Sequence, residues 1–147
     1  MTSPTTIVAK LQSNLRFKLA YIRVYHDFQQ TVTEDEVKAL MKTLIEAERE
    51  TIGSLTRRIR QLGGAVQPES QPGQSAQELR IKASTQRTTL AKLRFLQRGA
   101  TRAIEWYDEQ IAALADDEET VGLLKALRED KRQHLQRLDD MIARLGG

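Results

Sequence analysis

The sequence contains no cysteine and only two histidines, His26 and His134, among its 147 residues. The absence of cysteine excludes disulfides, thiolate zinc sites, iron–sulfur clusters and cysteine nucleophiles, and two histidines are too few for a histidine-rich metal site. No run of about eighteen apolar residues occurs, so the sequence predicts no membrane span. The first ten residues, MTSPTTIVAK, lack a basic segment followed by an apolar one. We therefore expect no secretory signal and a cytoplasmic protein.

Proline and glycine are scarce, and they divide the chain into four long segments with apolar residues at helical spacing. The segments cover residues 5–31, 33–62, 75–114 and 116–145. Ser3 is placed to cap the first segment, and residues 33–36 (TEDE) and 75–78 (SAQE) have the pattern of capping boxes. Residues 63–64 and Gly146 are glycines at segment ends, where a left-handed residue stops a helix. Residues 84–89 contain weak helix formers, so we expect a bend there.

Four amphipathic helices of this length predict an all-α fold, a four-helix bundle. Short connections make segments one and two, and segments three and four, into two antiparallel hairpins. Residues 63–74 form a longer polar linker, which spans about 40 Å when extended at roughly 3.3 Å per residue. It can thus run the length of a bundle whose helices are about 42 Å long. We expect a long crossover in one domain over residues 1–147; a simple up-down-up-down bundle, which needs only two to eight residues there, is the alternative.

Several polar side chains interrupt the apolar stripes near the middle of the helices, where a crossover bundle could bring them to a common level. Two of these polar residues flank the apolar stripe of the third segment, and the others share a helix face with apolar residues. They are Lys18 on the first segment, Glu48 and Thr51 on the second, Arg102 and Glu105 on the third, and Lys131 and His134 on the fourth.

The chain resembles the ferritin-like superfamily, particularly its bacterioferritin and rubrerythrin-like branch. The similar segments are KLAYIRVYHDF, EAERETIGSLTRRIRQLGG, RAIEWYDEQIAAL and LREDKRQHLQRLDDMIARLGG, one from each helix. The resemblance implies a ferritin-like bundle, in which four glutamates and two histidines hold two metal ions. It places the first-helix glutamate on Lys18, the second-helix Glu-x-x-His on Glu48 and Thr51, the third-helix glutamate on Arg102 or else Glu105, and the last Glu-x-x-His on Lys131 and His134.

Only Glu48 and His134 keep the residue type that the resemblance implies. Protonated lysine and arginine cannot ligate a metal and repel cations, whereas a di-metal centre needs carboxylates that offset and bridge its charges. We therefore expect a degenerate site with no metal, no cofactor and no catalytic residue, and hence a protein that is not an enzyme.

Four interpretations of the altered site stay open. The lysines and Arg102 pair with Glu48, Glu105 and nearby acids in a salt-bridge network, or they extend outward to water and leave an apolar core. Alternatively, the three cations and His134 form an anion pocket. In the last interpretation a metal site is reassigned to other residues, drawn from His26, His134, Glu46, Glu50 and Asp108.

The third segment is electrically polar. Residues 77–104 contain seven basic residues and one acid, whereas residues 105–119 contain seven acids and no base. The basic half could contact phosphate backbones, but a solvated face balanced by acids elsewhere, or complementary ends in a dimer, is the favoured explanation. We expect a structural, interaction or stress-associated protein that forms a homodimer, with no membrane partner. The alternatives are a divergent iron- or manganese-binding oxidoreductase or storage protein, and a basic nucleic-acid-associated protein.

Overall fold

The computed structural model describes residues 1–66 and 74–147, and these residues form α-helices and no strand. The helices are α1 (Pro4–Thr31), α2 (Asp35–Gln61), α3 (Gln74–Ser84), α4 (Thr89–Ala113) and α5 (Glu118–Arg144). They group into two units, residues 1–85 and 86–147. The all-α prediction is confirmed, and residues 67–73 of the predicted linker lie outside the described residues. No helix in the described ranges combines the length and the apolar character that crossing a bilayer requires.

α1 and α2 form the antiparallel hairpin of the first unit. The side chain of Gln29 donates to the carbonyl of Lys38 near the turn, and Gln12 donates to the carbonyl of Ala65 at the opposite end. Ser3 caps α1 as predicted, since its Oγ accepts from the backbone N–H of Thr6 at 3.2 Å. The buried apolar residues of the hairpin include Ile7, Leu11, Leu15, Val24, Phe28, Val37, Met41, Leu44, Leu55 and Ile59.

The two ends of α2 differ in how well the sequence predicted them. The capping box at residues 33–36 is wrong, because the N-cap is Glu34 and its side chain makes no capping hydrogen bond. Thr33 instead contacts the Glu34 carboxylate, with 3.3 Å between the oxygens. The predicted stop is confirmed: Gly63 has a φ of 83° and its N–H donates to the carbonyl of Arg60, a conformation that glycine adopts without steric cost.

The third predicted segment is two helices and not one. The helix is interrupted between Ser84 and Thr89. Thr88 starts the second helix, because its hydroxyl accepts from the backbone N–H of Ala91 at 3.0 Å and so caps α4. α3 belongs to the first unit and packs on α1 through Ala76, Leu79 and Ala83. Its Arg80 makes an ion pair with Asp27 of α1 at 3.3 Å.

The described residues on the two sides of the connection out of the first hairpin lie at different levels of α1. Ala65 lies beside Gln12, whereas Arg80 lies beside Asp27. Those two α1 residues are separated by about 22 Å of helix at 1.5 Å per residue. The chain crosses over as predicted, and part of the crossover is helical because α3 has an apolar side to bury against α1.

α4 and α5 form the antiparallel hairpin of the second unit. Gln97 donates to Asp139 at 2.7 Å, and Arg128 donates to Asp108 at 2.7 Å nearer the turn. Asp117 caps α5 by accepting from the N–H of Thr120, which places the predicted acidic first turn at the positive end of the helix dipole. The buried apolar residues of this hairpin include Leu93, Leu96, Ala100, Tyr107, Leu114, Leu124, Leu127 and Leu138.

Candidate functional site

Lys18 and Glu48 form a buried ion pair between α1 and α2. The Lys18 Nζ lies 3.4 Å from the Glu48 Oε2, and the two side chains are 5% and 1% exposed. Each lies on the apolar face of its helix, Lys18 one turn after Leu15 and Glu48 one turn after Ile45. Removing either charge from water costs several kcal/mol, and the close opposite charge offsets part of that cost. The two positions that the sequence analysis selected on these helices therefore face each other.

Thr51, three residues after Glu48, is also buried on α2. Its hydroxyl is a hydrogen-bonding group and lacks the nitrogen donor that a histidine ligand would supply at this position. The neighbouring acids Glu46 and Glu50 are exposed. Of the three acids Glu46, Glu48 and Glu50, only Glu48 thus lies on the buried face of α2.

Lys131 and His134 lie on the buried face of α5 in the second unit, with 6% and 8% of their surfaces exposed. Because they are three residues apart, they project from the same side of the helix. Leu127 and Leu138, one turn before and one turn after them, are buried on that side too. The predicted inward placement of both residues agrees with their burial.

Arg102 and Glu105 are exposed on α4, which corrects their predicted placement at the site. The buried face of α4 instead passes through Ala100, Tyr107 and Gln110. Two residues along a helix correspond to a rotation of about 200°, so Arg102 points away from the side that Ala100 buries. The same rotation separates Glu105 from Tyr107. A salt-bridge network or an anion pocket that includes Arg102 is therefore not formed.

The described residues do not provide the ligands of a metal centre. Within residues 1–66 and 74–147, no group of three or more His, Asp or Glu side chains is arranged to hold a metal ion. His26 is exposed, and Asp108 makes its ion pair with Arg128. The reassigned metal site that the sequence left open is thus absent from the part of the chain described.

The sequence analysis missed other buried polar residues. These are Gln12, Asn14, Lys92, Gln110 and Thr120. Gln12 joins the end of α1 to the residues after α2 through its bond to Ala65. Thr120 lies one turn into α5, where its N–H bonds the cap. A helical-wheel comparison would have found Gln12 and Gln110, because each lies three residues from a buried apolar neighbour, Leu15 and Tyr107 respectively.

Comparisons with known proteins bear on the family and the fold. Residues 5–140 match the model of a family described as "Domain of unknown function (DUF6306)". No curated protein matches the chain. A solved structure described as "ferritin like, diiron-carboxylate proteins from Bacillus anthracis str. Ames" aligns with a TM-score of 0.71. It is 18% identical, and the alignment covers 97% of this chain and 99% of that one. The fold is accordingly a ferritin-like helical bundle.

Proposed function

This chain belongs to the family described as a domain of unknown function (DUF6306), and we propose that it is a non-catalytic, ferritin-like protein with a structural or interaction role. In this proposal the Lys18–Glu48 ion pair replaces the metal bridge of related bundles. The observation that carries it is the buried Lys18 ammonium, 3.4 Å from the buried Glu48 carboxylate.

Charge explains why this pair and a di-metal centre exclude each other. Two dications require several carboxylates, which bridge the ions and offset their charge. Glu48 supplies one carboxylate, and the Lys18 ammonium already compensates it while repelling any cation that approaches. The residues present therefore do not fit the di-metal group, and no catalytic step follows from them.

The ion pair would join α1 to α2 as a metal joins helices in a metal-holding bundle. A buried pair of this kind adds little net stability compared with well-packed apolar residues, but breaking it removes the nearby opposite charge from an ion that stays in the core. The proposed role of Lys18 is therefore to keep Glu48 compensated without a metal. Such a bundle presents surfaces to partners and carries out no chemistry at its centre.

Metal content distinguishes this function from that of a metal-dependent oxidoreductase or an iron-storage protein. The protein is expressed with added iron and manganese, purified without chelator, and analysed by inductively coupled plasma mass spectrometry. We expect no stoichiometric metal in the wild type and no shift of its melting temperature when Fe²⁺ or Mn²⁺ is added. Two metal ions per chain would overturn the proposal.

Substituting Lys18 tests the ion pair itself. Lys18→Glu places two carboxylates together in the core, and we expect a large loss of stability in metal-free buffer because like charges are buried. Lys42→Glu is the matched control, since Lys42 is exposed on α2. If the Lys18→Glu protein unfolds at the same temperature as the Lys42→Glu protein, the pair does not have the proposed role.

The homodimer, the cytoplasmic location and the single domain over residues 1–147 stay predictions. A nucleic-acid partner is the other alternative, because the first half of α4 is basic. Retention of the protein on DNA that falls steeply with salt would favour that alternative.

A further inference from the structure

α4 carries a row of exposed charged residues that we call the α4 stripe. The residues of the stripe are Arg94, Arg98, Arg102, Glu105 and Glu109, and all five are exposed. An α-helix turns about 100° per residue, so the five side chains fall within about 80° of its circumference. None of them makes an ion pair or hydrogen bond with another part of the chain that the structure describes. The stripe is therefore a continuous charged surface without an internal partner.

The order of charges makes the α4 stripe complementary to itself. Its N-terminal part is basic and its C-terminal part is acidic. When two identical helices pair antiparallel about a two-fold axis, the register determines which residue of one copy faces which residue of the other. A single register places Arg98 opposite Glu105 of the second copy and Arg94 opposite Glu109 of the second copy. By symmetry it forms four Arg–Glu pairs.

Uncharged residues on the same side of α4 fit this register. Ala91 and Ala112 lie within the same arc of the helix and face each other, one from each copy, at the two ends of the stripe. Arg102 falls next to the two-fold axis, where its two copies repel each other and weaken the contact, and the small Thr101 lies beside it. Small side chains at these positions let the two helices approach closely, which brings the long arginine and glutamate side chains within reach of each other.

We propose that the α4 stripe binds the α4 stripe of a second copy of this chain, antiparallel and about a two-fold axis. A nucleic acid fits the stripe less well, because Glu105 and Glu109 would repel phosphates along the same line as the arginines. The inference names the partner of the interaction protein proposed above and rests on that proposal. Failure of the dimer leaves the metal measurements unaffected, so the two can fail separately.

The contact is weak and depends on salt. Exposed ion pairs contribute little individually, and association must also overcome the loss of translational and rotational freedom. The pairs are screened as the Debye length shortens, from about 10 Å at 0.1 M salt to about 3 Å at 1 M. We therefore expect a dimer at high protein concentration in low salt that dissociates when salt is raised.

Charge reversal tests the pairing. Arg94→Glu/Arg98→Glu makes both ends of the stripe acidic, and Glu105→Arg/Glu109→Arg makes both ends basic. Sedimentation velocity is expected to show each variant as a monomer where the wild type dimerises, and an equal mixture of the two as a heterodimer. The fourfold variant with all these changes restores complementarity and should dimerise again. Lys42→Glu/Arg49→Glu, which reverses two exposed charges on α2, is the control and should dimerise like the wild type.

Cross-linking tests the register, and the absence of cysteine from the chain makes it simple. Thr101→Cys lies beside the proposed axis and should form a disulfide-linked dimer under mild oxidation in low salt. Ala112→Cys alone should not, because its two copies lie far from each other in this register. Mixing Ala91→Cys with Ala112→Cys should restore the cross-link.

Three results would overturn the proposal. The first is a wild-type protein that stays monomeric at every concentration in low salt, whether or not it binds DNA through the arginines. The second is a dimer that survives both charge reversals. The third is cross-linking of Ala112→Cys as efficient as that of Thr101→Cys. Circular dichroism of each variant confirms that loss of the dimer is not loss of the fold.

Discussion

The Lys18 Nζ lies 3.4 Å from the Glu48 Oε2, and this ion pair joins two helices at a level where both side chains are almost completely buried. A charge in that environment is stable only beside its opposite. The pair therefore makes each residue depend on the other, and this dependence can be measured.

A double-mutant cycle is expected to show that dependence. Lys18→Met alone and Glu48→Leu alone should each lower the free energy of unfolding by about 3–5 kcal/mol, because each removes the opposite charge 3.4 Å from a buried ion. The double variant should be close to the wild type or more stable, since two apolar side chains replace the pair. Chemical denaturation of the four proteins gives the coupling energy.

The exposed pair of positions Lys42 and Glu46 on α2 provides the matched control cycle. Its coupling should be below about 1 kcal/mol, as for other surface charges. Additive effects at Lys18 and Glu48 would contradict the expectation of a dependent pair.

Two glycines, one within α2 and one just after its C-terminal end, should respond to alanine in opposite directions. Gly53 lies within the helix and a Cβ there meets nothing within 4 Å. Gly53→Ala should raise the free energy of unfolding by about 0.5–1 kcal/mol. Gly63 has a φ of 83°, and Gly63→Ala should cost about 1–2 kcal/mol because an L-residue is strained there. Thermal unfolding checks both signs, and a Gly63→Ala protein more stable than the Gly53→Ala protein would refute them.

The Thr88 cap should contribute measurably to α4. Its hydroxyl accepts from the N–H of Ala91 at 3.0 Å, and Thr88→Ala removes this bond at a cost of about 1 kcal/mol. Thr101→Ala is the control, because Thr101 is exposed within the helix and alanine is the better helix former. Equal stability of the two variants in urea denaturation would show that the cap is unimportant.

α3 should be released locally when its large buried side chain Leu79 is shortened. Leu79 lies between the much smaller Ala76 and Ala83 on the side that packs on α1. Leu79→Ala is expected to accelerate amide exchange in α3, while exchange in α2 stays slow, because so few contacts hold this helix. Arg80→Ala should change exchange little, since the ion pair with Asp27 is exposed. Unchanged protection of α3 in the Leu79→Ala protein would argue against this account.

Sequence periodicity was sufficient to identify the buried side of a helix wherever that side contains large apolar residues. On α1 and α2, leucine and isoleucine mark the buried side clearly, so Lys18 and Glu48 could be assigned to it. On α4 the buried side between Leu96 and Tyr107 passes through Gly99 and Ala100, which carry little apolar signal. Ile104 is only half-buried, and it led the prediction to place Arg102 and Glu105 beside the core.

The sequence by itself determined the helical class, the two hairpins and most helix ends, because caps, glycines and apolar spacing act over a few neighbouring residues. Tertiary structure decided that Lys18 contacts Glu48, that residues 74–84 pack on α1, and which side of α4 is buried. The physical reason is that these outcomes depend on what lies opposite each helix. Local spacing sets a helix and its possible faces, whereas the free energy of burying a charge or a small side chain is fixed only by the partner that packs against it.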